Sequence, residues 1–205
     1  AIHRHRWLQD CRQRATAAQV RFVKHLSTEK PSHQILDSRP PPKLENMLLQ
    51  HFVGWEIEAE AGSFDQTTAI LMDFRCDQSR GIHFIYCLPF SDRLALIEST
   101  LFSTELAPEE YYDNAITTYL RNICSLQSFE VIRRESGVIP LGFLGRHDPA
   151  LDGIGANGGA IRPSSGYTFS FIQKQIHDAI SNAKPGKPLS INVPHSPFEL
   201  WMDSI

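Results

Sequence analysis

The sequence predicts a mixed α/β chain, α+β in character, organised around an antiparallel sheet. Three observations carry this. Four segments rich in β-branched and aromatic residues (48–58, 67–74, 81–88 and 93–102) follow one another with only short turn signals between them. Two segments, 108–123 and 168–183, carry apolar residues at helical spacing. The run Arg39-Pro40-Pro41-Pro42 separates both groups from a helical opening, because proline removes donors and restricts the residue before it.

Each element follows from its residues. Residues 6–18 read as a helix with Trp7, Leu8 and Cys11 on one side. Arg4, Arg6, Arg12 and Arg14 give it a basic face. Residues 19–26, with alternating Val20 and Phe22, suit a short strand, and 33–37 form a second short apolar stretch. The turn signals Ala61-Gly62-Ser63, 76–81 and Pro89-Phe90-Ser91-Asp92 are short enough to favour an antiparallel meander. In 108–123, Pro108 suits a first turn, and Glu109 and Glu110 suit the positive end of the dipole. Tyr112, Ile116, Tyr119 and Ile123 form its apolar face. Residues 129–134 read as a further strand, and 137–166 as a stretch dominated by glycine and proline. The last clear helix has Ile172, Ile176, Ala179 and Ile180 on its apolar face and stops at Lys184-Pro185-Gly186. Phe198-Glu199-Leu200-Trp201-Met202 begins one more helical pattern.

Composition narrows the functional classes. A chain of 205 residues holds one sizeable core, or one domain and part of another. A net charge of −3 gives no electrostatic case for nucleic acid. No apolar run approaches the ~20 residues that span a bilayer. Cys11, Cys76, Cys87 and Cys124 form no C-x-x-C pair and have no histidine at metal-finger spacing, so unpaired structural thiols and no metal are expected.

Two features carry chemistry. The first is the stretch from Ile154 to Tyr167, where small residues let a ligand approach the backbone. Ser164 and Ser165 stand where the next helix needs its N-terminal cap, and that helix start offers free N–H groups. A plain flexible loop before a capped helix fits the composition equally well. The second is Glu98, within the otherwise nearly apolar Leu94-Ala95-Leu96-Ile97-Glu98-Ser99-Thr100-Leu101-Phe102. A carboxylate there must pair, protonate or face water. An outward-facing glutamate on an alternating strand is the plain alternative.

A set of blocks in fixed order connects these features. The glycine-rich stretch followed by Arg162-Pro163-Ser164-Ser165-Gly166-Tyr167 and an apolar helix resembles the second flavin-contacting motif of the lycopene cyclase family. Ile35-Leu36-Asp37-Ser38-Arg39 resembles the Asp-x-Arg segment that closes that family's first nucleotide-binding part. Phe52-Val53-Gly54-Trp55-Glu56-Ile57-Glu58, Leu71-Met72-Asp73, Phe84 to Pro89, Leu96 to Thr100 and Arg134 to Pro140 are similar to the blocks between, in family order.

The resemblance implies part of an FAD/NAD(P)-binding Rossmann-like domain of the aromatic-hydroxylase type, joined to an antiparallel substrate-binding sheet. It divides the chain into a remnant of the FAD domain (1–45), the sheet domain (46–135), a return to the FAD domain (136–184) and the start of a helical part (185–205). It implies proton-initiated cyclisation of the linear end groups of lycopene, or a related carotene, to β-ionone rings. FAD would be bound in reduced form without net redox change, with NAD(P)H as its reductant. Asp37, Arg39, Gly155, Gly159, Pro163, Ser165, Gly166 and Tyr167 are the positions carried over for cofactor binding, and Glu98 is the acid. Asp73 and Glu56 are secondary catalytic candidates, Asp73 as a hydrogen-bonding neighbour of the acid or as a group that helps take up the final proton. Trp55, Tyr86 and Phe84 are aromatic faces for a cation. A lipid-borne substrate implies a cytoplasmic protein peripheral to a membrane, plastid or photosynthetic in a phototroph. The family's opening G-x-G-x-x-G and its C-terminal helices have no counterpart here, so a piece of a family member, inactive alone, is expected. Another FAD-dependent oxidoreductase or monooxygenase of the same fold, and a non-catalytic carotenoid- or lipid-binding module, remain as alternatives.

Overall fold

The computed structural model describes residues 4–24, 33–42 and 46–204. The chain divides into two compact units, Ala1–His33 and Gln34–Ile205. In the first, helix α1 (Arg4–Ala17) ends where Gln19 turns into the left-handed region (φ 62°). The Val20 N–H then donates back to Ala15 O at 2.9 Å. Residues 19–24 form no strand, contrary to the sequence expectation, and 25–26 lie outside the described residues. That left-handed turn folds the chain back, and the Arg12 guanidinium stacks over Phe22, 4.8 Å from the ring centre. Trp7 and Leu8, on one side of the helix, are exposed.

The second unit is built on a five-stranded antiparallel sheet. Its strands are β2 (Leu49–Glu58), β3 (Ile70–Asp73), β4 (Ile82–Pro89), β5 (Leu94–Ser103) and β6 (Glu130–Pro140). Their order is β3-β4-β5-β2-β6. The expected meander holds for β3-β4-β5 only. β2 inserts between β5 and β6, paired with β5 from Leu49↔Ser103 to Glu58↔Leu94. β6 is longer than residues 129–134 and runs through Gly137. That position can sit in the sheet because it lacks a side chain: a Cβ there would come 2.6 Å from Phe52 Cζ.

Helix α2 (Glu109–Asn122) covers one face of the sheet. It buries Tyr112, Ile116, Tyr119 and Leu120 against Val53, Trp55, Ile57, Ile85, Ala95, Ile97 and Leu101. Each fully buried large side chain contributes about 1.5–3 kcal/mol, so this face is the main source of stability. Among the described residues, the Trp55 indole N–H on this face has no hydrogen-bond partner, whereas His83 is satisfied. His83 Nδ1 lies 2.7 Å from the Asp77 carbonyl, so it carries the proton, and Nε2 accepts from Ser99 Oγ at 2.7 Å. All four cysteines are free.

A two-residue strand β1 (Leu36–Asp37) pairs in parallel with β7 (Asp152–Gly153), bringing the segment after residue 33 onto the glycine-rich stretch. A 3₁₀ turn (Gly155–Gly158), helix α3 (Phe169–Ser181) and helix α4 (Pro197–Met202) follow. On α3 the buried residues are Gln175 and Ala179, while Ile180 is exposed. The expected all-apolar face is therefore corrected: Gln175 turns inward because its amide holds the loop. Among the described residues, no helix is long and apolar enough to cross a membrane.

Candidate active site

Residues that alternate away from α2 form the second face of the sheet. Its central row, read across the strands, is Tyr86, Glu98, Gly54 and Glu135. The next row is Phe84, Thr100, Phe52 and Gly137. Phe84 lies edge-on to Tyr86 and to Phe102, with ring centres 5.3 and 5.7 Å apart. Glu98 thus sits half-buried, with Tyr86 beside it in its own row and Phe84 and Phe52 in the next.

Three influences act on the Glu98 carboxyl. Burial raises its pKa above the ordinary value, because a charge in an apolar setting loses hydration. The Thr100 hydroxyl, donating to Oε1 at 2.9 Å, opposes this by favouring the charged form. Glu135 adds to the rise by like-charge repulsion. The net direction is upward, toward a carboxyl that keeps its proton. Burial and the Glu98 charge also push up the pKa of Tyr86.

The other expected catalytic residues divide between the two faces. Glu56 shares the face of Glu98, one row away opposite Leu96, and is held by Arg133 at 3.0 Å. Asp73 lies on the helix-covered face, opposite Ile85. There Arg75 grips it with a 2.6 Å contact and the Tyr119 hydroxyl donates to it at 2.9 Å. Arg75 pulls its pKa down to about 2. The structure does not bring Asp73 to Glu98. Of the expected aromatic faces, Tyr86 and Phe84 stand beside the acid. Trp55 is in the core under α2, with Arg134 over its ring.

The glycine-rich stretch is rigidly built. A Cβ on Gly153 would come 2.2 Å from Asn157 O, and one on Gly158 would come 2.5 Å from Gly153 O. Gly155, Gly159 and Gly166 have φ of 67°, 78° and 69°, the left-handed region that favours glycine. Gln175 pins the turn: it accepts from Gly155 N–H at 2.8 Å and donates to Gly158 O at 2.8 Å. Asn157 donates from Nδ2 to the Asp37 carbonyl at 3.0 Å. The Asp37 carboxylate is clasped by the Arg39 guanidinium at 2.8 and 2.9 Å, which lowers its pKa to about 2. The expected serine cap of α3 is not made. The N-cap is Thr168, whose hydroxyl donates to Gly166 O, while Ser164 turns toward Asp203.

An open groove of about 600 Å³ lies between this loop, α3, the segment after β1 and the end of β6. Ser38, Gly155, Gly166, Thr168 and Ile172 are among its walls. Of the positions expected to bind cofactor, Gly155 and Gly166 line it, and Asp37 and Arg39 flank Ser38. Gly159 faces Val193 instead, Pro163 is buried, and Ser165 and Tyr167 are exposed. Gly166 also packs against Ile139 and Gln50, which are cross-strand partners in the acid-bearing face. Gln50 is four residues from Gly54 along β2, so the loop meets that face about 13 Å from the acid row.

The sequence reading passed over Glu135 and Gln175. Glu135 was legible only as part of a block, and Gln175 only as a polar residue within an apolar helix face.

Fold and site together define a mixed α/β protein whose antiparallel sheet presents a shielded acid beside a glycine-lined groove. The family described as "Lycopene cyclase protein" matches residues 12–204, and the chain belongs to that family. A lycopene beta-cyclase from a Paracoccus strain is 28% identical over 158 residues, covering 72% of this chain and 40% of that protein. The lycopene beta-cyclase of Pantoea ananas is 28% identical over 156 residues, covering 65% and 40%. The chain thus spans about 40% of the length of the curated relatives it matches. Among solved structures, a geranylgeranyl bacteriochlorophyll reductase-like protein from Thermoplasma acidophilum aligns with a TM-score of 0.46 at 14% identity. That alignment covers 78% of this chain and 38% of that one.

Proposed function

We propose that this chain supplies the acid-bearing sheet and the flavin-contacting loop of a lycopene β-cyclase, an isomerase that closes the linear end groups of lycopene into β-ionone rings. The observation that carries the reading is Glu98: a half-buried carboxyl with Tyr86 beside it on the sheet face, its pKa raised by burial. Cyclisation begins with a proton delivered to the terminal carbon–carbon double bond. A carboxylic acid does this only if its surroundings keep it protonated near neutral pH. Tyr86 and Phe84 present rings on the same face, and an aromatic face attracts a desolvated cation by up to about 2 kcal/mol. A hydroxylase or reductase of related fold has no use for an acid held this way.

FAD fits the groove in part. Gly155 is open toward it, with nothing closer than 3.8 Å to a Cβ built there, so a flat ring can lie against the backbone. Gly153 and Gly158, although spaced like a diphosphate cradle, are packed against each other's backbone and are not free for that role. The ring-facing part of a flavin site is therefore what these residues suit. Bound in reduced form, with NAD(P)H as reductant, the flavin supplies an electron-rich surface near developing positive charge without net redox change. Asp37 and Arg39 fix the β1 end of the groove, and Gln175 fixes its loop.

In this reading 1–45 and 136–184 belong to the flavin-binding domain, 46–135 form the substrate domain, and 185–205 open a helical part. The protein works at the surface of the membrane that holds its carotene, and the 205 residues alone do not turn over. The test is expression of the complete gene in lycopene-accumulating cells, with chromatography of the carotenoids. Cyclic product is expected from the wild type and none from Glu98→Gln. A Glu98→Gln enzyme that still cyclises would remove the assignment.

A further inference from the structure

We propose that Glu135 is the second carboxylate of the site, the base that receives the proton lost from the cyclised cation. The inference rests on the reading of Glu98 as the acid. Glu98 and Glu135 lie on the two strands that flank β2, with Gly54 between them. A Cβ on Gly54 would come 3.2 Å from Glu135 Cγ, 3.2 Å from Leu96 Cδ1 and 3.6 Å from Glu98 Cγ. The two acidic side chains therefore converge over the one residue of the row that has no side chain. Any larger residue at that position would hold them apart.

The partners of the two carboxyls differ, and that difference assigns the roles. Glu135 is bound by Arg133 at 2.8 Å, and the same guanidinium holds Glu56. That contact gives Glu135 a fixed charge partner on the face it shares with Glu98. Among the described residues Glu98 makes no ion pair; the Thr100 hydroxyl is its hydrogen-bond donor. One fixed positive charge thus faces three carboxyls, and keeping a proton on the carboxyl farthest from Arg133 relieves the repulsion. An acid and an anionic base of the same chemical type then stand side by side, distinguished by surroundings alone.

The steps balance without a co-reactant. The O–H bond of Glu98 breaks and a C–H bond forms at the terminal double bond, leaving a tertiary cation. The electron pair of a neighbouring double bond closes the ring and moves the charge to a ring carbon. An adjacent C–H bond breaks, its electrons form the ring double bond, and its proton becomes the O–H of Glu135. Transfer of that proton to the Glu98 carboxylate across the Gly54 gap restores both groups. Until then the Glu135 carboxylate is the counter-charge to the cation.

The experiment compares the complete gene product with its Glu135→Gln and Glu135→Asp variants. Turnover of lycopene, the thermal midpoint and the ring isomers formed are measured for each. Glu135→Gln is expected to lose about 100-fold or more in turnover, the usual contribution of a positioned base. Its thermal midpoint is expected to stay within a few degrees of wild type, because Glu135 is partly exposed. Its residual product is expected to shift toward rings with a displaced double bond, since the cation then loses a proton elsewhere. Glu135→Asp keeps the carboxylate and is expected to recover much of the turnover, and it reads the same role if the glutamine variant folds poorly. Turnover of Glu135→Gln within about threefold of wild type with unchanged isomers would overturn the assignment, given the size of general-base effects. Failure of Glu135→Asp to recover any turnover while folded would do the same. Neither result touches Glu98, whose own variant decides the reading beneath.

Discussion

Thr100→Val tests whether the Glu98 proton is the one delivered. Thr100 is fully buried, and its hydroxyl donates to Glu98 Oε1 at 2.9 Å. That bond stabilises the charged carboxylate and holds the pKa of Glu98 below where burial alone would put it. Valine keeps the β-branched shape that suits a strand and removes only the donor. A hydrogen bond to a charged group contributes about 1.5–3 kcal/mol, and one pKa unit corresponds to about 1.4 kcal/mol. The Glu98 pKa should therefore rise further in the variant. An acid acts only while protonated, so kcat/KM falls as pH rises through its pKa. The falling limb should move to higher pH. The assay is the pH profile of kcat/KM for the complete gene product on lycopene in detergent micelles. A falling limb that stays in place, or moves to lower pH, would refute the argument.

Three further outcomes follow from the same geometry. Glu98 has a folded-state pKa above its ordinary value of 4.5, so it costs stability as pH rises through the folded value. Glu98→Gln should therefore resist urea better than wild type at pH 8, and the difference should vanish below about pH 4. Asp73 has the opposite sign: its pKa of about 2 against an ordinary 3.8 adds stability above pH 4 that is lost as pH falls toward 2. Discounted for the exposed Arg75, this amounts to about 1 kcal/mol, and Asp73→Asn should flatten that acid limb in a urea titration while leaving cyclisation in place. Gln175→Leu strands the Gly155 N–H and the Gly158 carbonyl, a cost of about 2–3 kcal/mol, and should lower flavin retention measured by absorbance after gel filtration.

How much of this was legible in the sequence depended on distance along the chain. The β-branched and aromatic content of residues 48–58 and 93–102 and the turn signals around them predict β2 and β5, and the helical spacing in 108–123 predicts α2, because each is a local pattern. Glu98 stood out because its neighbours in sequence are apolar. The partnership of Glu98 with Glu135 did not, because it depends on β2 entering the sheet between β5 and β6, a pairing that no short turn dictates. Asp73 shows how one residue undoes a parity argument. Ile70 is opposite Cys87 and Asp73 opposite Ile85, so three steps on β3 match two on β4. Met72 makes the difference with a left-handed turn (φ 55°). A regular strand would have put Asp73 on the acid's face; the bulge turns it under α2, to Arg75 and Tyr119.

The insertion of β2 explains why the site takes the form it does. β2 is the strand that both β5 and β6 flank, so a glycine on it opens a gap between their side chains, whereas a glycine on an edge strand would open only to solvent. β2 also carries Gln50, and β6 carries Ile139 and Leu141's neighbour Pro140, at the end where Gly166 packs. β2 therefore spaces the two carboxyls that β5 and β6 carry, and with β6 it meets the glycine loop at one end. In the proposed reading both relations must hold at once, since acid, base and stabilising surface would act on one end group within one turnover. Placing the two carboxyls on the strands either side of β2 fixes their spacing through backbone hydrogen bonds, which leaves the aromatic side chains of that face free to shape a substrate's bed.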